Sequence, residues 1–301
     1  MSNRPLVSIL INNYNYGQFL ADAIESALNQ TYDSIEIIVV DDGSTDQSHE
    51  VIERYGDRII PVLKPNGGQA SAFNLGFQKS RGDIICFLDA DDIFVPEKAA
   101  TIAAMFEKYP DIGWCFHRLR FVDSTLQHLV RLSHESGTRA CDFREDIQHG
   151  RFNFTAPATT GLCFGRSLLE QILPMPEEIR ITSDNYLKLL AVALSKGFYL
   201  DEQLAVLRIH GNNAYSLRND KKALRAYTRV LTAYWARKKC SNLSKSANKL
   251  FAIGLGQLWK AHESSYKNNQ TIHHYLASVA LHEKPEIMMR AFYHYLKPST
   301  H

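Results

Sequence analysis

Two clusters of carboxylates stand at the ends of apolar runs. "IEIIVVDDGSTD" brings Asp41 and Asp42 directly after Val40, and "IICFLDADD" brings Asp89, Asp91 and Asp92 after Leu88. Like charges repel and burial penalises the ionised form, so carboxylates gathered in this way need something positive among them. Two aspartates separated by one residue offer hard oxygen ligands, and few of them. That donor set suits Mg²⁺ or Mn²⁺ shared with a phosphate-bearing substrate better than a closed protein cage. Helix capping is the competing use of Asp after a strand. In the first cluster Ser44 and Gln47 have capping-box spacing, which leaves Asp41 and Asp42 without that work. In the second, Pro96 and Glu97 open the next helix, with its cap near Val95, beyond Asp89 and Asp91.

The elements that must position these carboxylates alternate. "LVSILI" reads as a buried strand; Leu20, Ala23, Ile24, Ala27 and Leu28 then recur at helical spacing before "IEIIVV" reads as a second strand. A helix through "DQSHEVIERY", a strand in "RIIPVL", a helix through "ASAFNLGFQKS" and a strand in "DIICFL" continue the pattern. Such alternation predicts an α/β fold, a mostly parallel central sheet with helices on both faces. Ligands of these sheets sit beyond the carboxyl ends of the strands, where strand order reverses. Both acidic clusters should therefore line one crevice. Further on, "IGWCFHRLRFV" and "FYLDEQLAVLRIH" read as strands and "DNYLKLLAVALS" as a helix, while residues 124–160 show no readable pattern. Beyond Gly211 four helical segments follow. The expected division is an α/β nucleotide-binding and catalytic domain over 1–215 and an all-helical region over 216–301.

Composition sets the outer limits. The chain has 301 residues, 45% hydrophobic and 22% charged, enough to bury a sizeable core. A formal charge of +2 argues against a protein built to coat nucleic acid. Five scattered cysteines without Cys-x-x-Cys spacing fit a reducing compartment. The opening run is too short for a signal peptide's apolar core, and no run reaches the roughly 18 apolar residues of a membrane span. A cytoplasmic protein is expected. Residues 218–249 hold ten Lys and Arg, from Arg218 to Lys249, against Asp220 alone. This segment either lies on an anionic membrane, as a peripheral contact at its inner face, or packs its apolar side on the catalytic domain.

The ordered series "VSILINNYN", "SALNQTYDSIEIIVVDDGSTD", "NGGQASAFNLGFQKSRGDIICFLDADD" and "RIHGNNAYS" resembles the family-2 glycosyltransferases, inverting enzymes of the GT-A fold, over about two thirds of the chain. The resemblance implies a nucleotide-sugar donor, UDP-linked, and a glycan, lipid-linked or protein acceptor, in the synthesis of cell-surface polysaccharide or glycoconjugate. It implies that Asp42 contacts the nucleotide base with Asn12 and Tyr14 nearby, and that Gly68 and Asn74 belong to the donor site. Asp91, Asp89 and His210 then form the metal site, Asp91 in direct contact with the ion, Asp89 on the ribose or a bridging water, and His210 completing the metal and diphosphate site. Asp184, in "ITSDNYLKLL", matches the catalytic base. Two positions depart from the family pattern: Ser183 stands where an acid is usual, and Phe73 where arginine is usual.

The chemistry agrees with those roles. A nucleoside diphosphate leaves readily only when a cation neutralises its developing charge. A sugar hydroxyl needs a base to take its proton, and the start of a helix favours an ionised carboxylate there. A sugar-phosphate nucleotidyltransferase would carry a Gly-rich, basic loop after the first strand, where this chain has "NNYNYGQF". No G-x-G-x-x-G follows that strand either, which disfavours a dinucleotide oxidoreductase. A catalytically inactive carbohydrate or nucleotide-sugar binding module on the same fold is the remaining alternative. "NGGQ" serves equally as a diphosphate cradle or a plain turn, and Trp114 is expected in the core.

Overall fold

Strand β1 (Val7–Asn13) sends Val7, Ile9 and Ile11 to one side and Leu10 to the other, and all four are buried. Side chains alternate along a strand, so this one needs cover on both faces. The computed structural model, which describes residues 4–127, 137–211, 220–261 and 269–297, shows where the cover comes from. After β1 come α1 (Gly17–Leu28), β2 (Ile35–Asp41), α2 (Ser48–Glu53), β3 (Ile60–Leu63), α3 (Gln69–Lys79) and β4 (Ile84–Asp89). Then follow β5 (Ile93–Phe94), α4 (Lys98–Lys108), β6 (Trp114–Asp123), β7 (Arg139–Cys141), α5 (Arg144–Gln148), β8 (Leu162–Gly165), α6 (Arg166–Ile172), α7 (Asp184–Leu194) and β9 (Gly197–Ile209). Leu20, Ile24, Val51, Ile52 and Ile102 from α1, α2 and α4 pack with Ile9, Ile11 and Val39. Phe73 of α3, Leu169 of α6 and Leu187 of α7 cover the other face, against Leu10, Val40 and Phe87.

The strand order is β3-β2-β1-β4-β8-β6-β9-β5, with β7 paired to β9. Strands β1 to β4 are parallel, and β6 and β9 are parallel to each other. β8 runs antiparallel between β4 and β6, and β5 and β7 run antiparallel to β9. Six strands thus point one way, which agrees with the expected mostly parallel sheet; the inserted β8 was not legible. β1 is flanked by β2 on one side and β4 on the other, so strand order reverses beside it. Register aligns the strand ends: Asn12 lies opposite Asp89, and Asn13 opposite Asp41. Both acidic clusters therefore share one rim of the sheet.

The opposite rim is fastened by one carboxylate. Glu36 accepts from the Ser8 hydroxyl (2.6 Å) and from the backbone N–H groups of Arg81 and Gly82. Burial alone would raise its pKa, but these donors outweigh it and hold the carboxyl below its ordinary value. A depressed carboxyl contributes stability above its unfolded pKa and loses it as pH falls through the folded one. Glu36→Ala removes the acceptor of the buried Ser8 hydroxyl and of the Arg81 N–H, while the Gly82 N–H keeps Ser8 Oγ, and is expected to cost about 1–3 kcal/mol. It should also flatten the acid side of the stability curve below the ordinary glutamate range, which urea titrations at stepped pH will read.

Four helices close the described chain: α8 (Lys221–Lys239), α9 (Ser244–Lys260), α10 (Gln270–Ser278) and α11 (Lys284–Leu296). Leu231, Ala236 and Leu243 join the core beneath the sheet, with Tyr227 and Trp235 packed against it. Phe251, Leu255, Tyr275 and Ile287 form a separate helical core, in which the Phe251 and Tyr275 rings stack at 3.9 Å. Gly256 lets α9 and α11 cross closely, since a Cβ there would stand 2.1 Å from the Ala291 carbonyl oxygen. The basic segment thus turns its apolar side inward. Its first member, Arg218, and the expected boundary near residue 216 lie outside the described residues. Among the described residues no helix is long and apolar enough to cross a membrane.

Candidate active site

At the end of β2, Asp41 and Asp42 divide the labour. Asp41 is fully buried and accepts from Asn13 Nδ2 (2.7 Å) and the Ser44 N–H (2.8 Å), with His49 Nε2 at 3.1 Å. It holds the turn together. The capping box expected of Ser44 and Gln47 is not formed: Asp46 Oδ1 accepts the Ser48 N–H (3.0 Å), while Ser44 Oγ accepts the Asn15 N–H (2.8 Å). A carboxylate two residues before the helix outcompetes the hydroxyl four residues before it.

Asp42 faces the neighbouring loop. Its two oxygens accept from Lys64 Nζ, Asn66 Nδ2 and the N–H groups of Gly67 (2.8 Å) and Gly68 (2.7 Å). Four donors fill the acceptor capacity of one carboxylate. Gly68 has φ +91°, and a Cβ there would meet Arg180 backbone at 2.9 Å. This turn requires glycine on both counts. The next residue ties the loop to α7: the Gln69 N–H donates to the Arg180 carbonyl (2.8 Å), and Gln69 Oε1 accepts the Ser183 N–H (2.9 Å) and hydroxyl (3.0 Å). Ser183, which replaces the usual acid, is fully buried in this bond. Gln69→Ala leaves both Ser183 donors unpaired, an expected loss of about 1–3 kcal/mol. Because it loosens the start of α7, it should lower kcat more than donor affinity; thermal melts and steady-state kinetics will separate the two.

Asp184 is the first residue of α7, and Lys188, one turn on, reaches its Oδ2 at 2.5 Å. Thr182, two residues earlier, has φ +55°, a strained setting for a β-branched side chain. Opposite stands the second acidic cluster. Burial pushes the Asp89 carboxyl well above its ordinary pKa, and the charges of Asp91 and Asp184 push it further. Asp89 therefore feels both other carboxylates. His210 Nε2 lies 3.1 Å from Asp91 Oδ2, and its ring packs against Phe19 with centroids 4.5 Å apart. Asp92 is spent on architecture: it accepts from the Thr160 hydroxyl and from the Arg208 N–H (3.0 Å). One stretch of β9 thus steadies Asp92 through Arg208, and the residue just after it steadies Asp91 through His210.

These groups open on a cavity of about 1070 Å³. Asn12, Tyr14, Asp42 and Gly68 line it, together with Asp89, Asp91 and Asp184. Asn12 Oδ1 is buried there without a hydrogen-bond partner among the described residues. His210 stands behind Asp91 and does not line the cavity. Asn74 lies outside it: its carboxamide is taken up by Met175, donating to the carbonyl (2.8 Å) and accepting the N–H (2.8 Å). Phe73 and Trp114 are core, as their burial at 1% exposure requires. Helix α8 supplies one wall, with Arg225, Thr228, Arg229 and Thr232. Sequence reasoning missed Gln69, Lys188 and this wall; only the i,i+4 spacing of Lys188 from Asp184 was there to be read.

The acidic set fits a divalent cation in one respect and limits it in another. Asp89, Asp91 and Asp184 line one cavity, Lys188 is paired to Asp184, and the charges of Asp91 and Asp184 push the Asp89 carboxyl up, a repulsion that a cation would offset. Among the described residues no three His, Cys, Asp or Glu side chains are grouped so as to hold a metal ion by themselves. An open site with few protein oxygens, completed by a diphosphate, is the habit of Mg²⁺.

The sequence profile described as glycosyl transferase family 2 matches residues 8–173. A glycosyltransferase of Nostoc is 37% identical over 212 residues, 69% of this chain and 66% of that one. A glycosyltransferase of Rickettsia prowazekii is 47% identical over 94 residues, 31% of this chain and 30% of that one. The match thus spans less than two thirds of either relative. Among solved structures, residues 1–349 of Staphylococcus aureus TarS, in complex with UDP-GlcNAc, superimpose with a TM-score of 0.63 at 18% identity, over 95% of this chain and 79% of that one. The mannosyltransferase PcManGT from Pyrobaculum calidifontis, in complex with GDP-Man and Mn²⁺, gives 0.54 at 17% identity, over 97% and 81%. These two likenesses bear on the fold, and agree with the GT-A expectation. With the profile covering more than half of its length, the chain belongs to glycosyl transferase family 2.

Proposed function

We propose that this chain is a metal-dependent inverting glycosyltransferase that moves a sugar from a UDP-linked donor to a hydroxyl of a glycan, lipid-linked or protein acceptor, in the synthesis of cell-surface polysaccharide or glycoconjugate. The observation that carries the reading is the meeting of Asp89, Asp91 and Asp184 on one cavity at the point where strand order reverses. Asn12 and Tyr14 take the nucleotide end, Asn12 through its unpartnered oxygen. Asp42 serves that end through the loop it holds, and a base N–H reaches its carboxylate by displacing one of the loop donors.

Asp91 would hold Mn²⁺ or Mg²⁺, with Asp89 beside it on the ribose or a bridging water and His210 behind it. When bound, the ion neutralises the charge that develops on the departing diphosphate. Asp184 takes the acceptor proton. Lys188 holds its Oδ2, which leaves Oδ1 for the hydroxyl. As the acceptor oxygen bonds to the anomeric carbon, the bond from that carbon to the diphosphate breaks and the nucleoside diphosphate leaves with the electron pair. Attack from the face opposite the leaving group inverts the anomeric centre. The α8 wall faces the acceptor, where Thr232 Oγ1 is buried without a partner among the described residues.

The reading draws support from family membership and from the nucleotide sugars named in the TarS and PcManGT complexes. Its test is nucleotide release from a panel of nucleotide sugars with and without Mn²⁺. Release stimulated by the ion is the expected result. Donor binding without release, across a range of acceptors, would favour the inactive binding module.

A further inference from the structure

Helix α11 has two apolar sides, and the structure uses one. Ile287 and Ala291 enter the helical core. On the outer side Pro285, Met288, Met289, Phe292, Tyr293 and Leu296 fall within an arc of about 140° at helical spacing, with no charged residue among them. Met289, Phe292, Tyr293 and Leu296 are between 55% and 68% exposed, and Leu281, just before the helix, is 81% exposed. Six of the nine exposed large apolar side chains among the described residues lie between 281 and 296. The other three, Tyr14, Leu63 and Leu126, are scattered. A contiguous apolar patch of this kind marks an interaction surface, whereas single exposed residues do not.

Charge selects the occupant. Residues 216–301 hold 15 Lys and Arg against 4 Asp and Glu, while residues 1–215 hold 19 against 28. Lys284 and Lys297 stand at the two ends of α11, and the Lys260 ammonium donates to the Lys297 carbonyl. A second copy meeting this face across a two-fold axis would set two strongly positive regions against each other. An anionic phospholipid surface turns the same charge into attraction, increased by each cation near the headgroups. We propose that α11 lies in the plane of an anionic bilayer interface, with Met289, Phe292 and Leu296 entering the acyl boundary and the flanking lysines among the headgroups. The basic segment 218–249 is not needed for this contact: its apolar side is already occupied by the protein, and Arg225 and Arg229 line the cavity. The proposal does not depend on the catalytic reading.

Flotation of the full chain with phosphatidylcholine vesicles, with and without phosphatidylglycerol, tests it. The chain should float with the anionic vesicles only. Phe292→Ser with Leu296→Ser, and separately Lys284→Gln with Lys297→Gln, should each weaken binding about tenfold or more, with melting temperature and nucleotide release unchanged. Phe292→Trp gives a second readout: its emission, taken as a difference from the unsubstituted chain, should shift to the blue on adding anionic vesicles. Absence of flotation, equal flotation with neutral vesicles, or an unmoved Trp emission would overturn the proposal. So would wild-type flotation by the Phe292 and Leu296 double variant. A dimer in light scattering that the same variant converts to monomer would assign the face to a second copy instead.

Discussion

Asp91→Asn is expected to abolish metal-stimulated turnover while leaving the protein at least as stable as before. Lewis-acid help to a leaving diphosphate supplies several kcal/mol, so the loss in kcat should be about 10³-fold or more, near 4 kcal/mol. Stability should move the other way. The Asp91 charge is the second cause, after burial, of the raised Asp89 carboxyl. Removing it relieves repulsion that the folded chain bears in the absence of an ion. An asparagine keeps an oxygen for His210, whose Nε2 now sits 3.1 Å from Asp91. The checks are kcat against Mn²⁺ concentration and a thermal melt in chelator. A variant that turns over normally, or one that unfolds, would mean that Asp91 is architectural, as Asp92 is.

Asp184→Asn should separate binding from chemistry. A general base contributes about 10²–10⁴-fold to rate, and kcat should fall by that factor. Donor affinity should change little, since Asp184 acts on the acceptor's proton. The substitution has a structural side effect with a definite sign. Lys188, with its side chain 12% exposed, loses its ion partner, and a half-satisfied buried cation lowers the melting temperature. Steady-state kcat, donor titration and melting therefore give three readings. Unchanged kcat would remove Asp184 from the chemistry and leave it as the helix's first-turn acid.

Most of the architecture was legible because the alternation of apolar runs and helical spacing is local. Both acidic clusters could be placed on one rim because parallel strands end in register, and Asn12 does lie opposite Asp89. The antiparallel β8 was not legible: "LCFG" is four residues long and follows the unpatterned stretch to residue 160, so only its long-range pairing defines it. The same reason hid the contacts that complete the site. Gln69 meets Ser183 across 114 residues, and Thr160 meets Asp92 across 68. The α8 wall was beyond reach because no local signal tells which face of a basic amphipathic helix meets the cavity. Asn74, a family position that keeps its residue type, has its amide bonded to the Met175 backbone, a long-range contact that local pattern does not reveal.

Two features outside the acidic cluster sharpen the account. Gly68 is fixed by its positive φ and its closeness to Arg180, so the "NGGQ" turn has a structural requirement whatever ligand it faces. Lys98 is fully buried, donates to the Thr160 carbonyl at 2.7 Å and lies over the Phe94 ring at 3.4 Å. Burial pushes its pKa down. It anchors from below the segment whose hydroxyl fastens Asp92.

Crystals grown with Mn²⁺ and UDP, read by anomalous scattering at the manganese edge, give the most direct test of the cation's place. The account predicts one manganese peak about 2.1 Å from an Asp91 carboxylate oxygen, with the diphosphate as its other ligand. UDP bound in the cavity with no ion between it and Asp91, or manganese held away from the 89–91 pair, would contradict it.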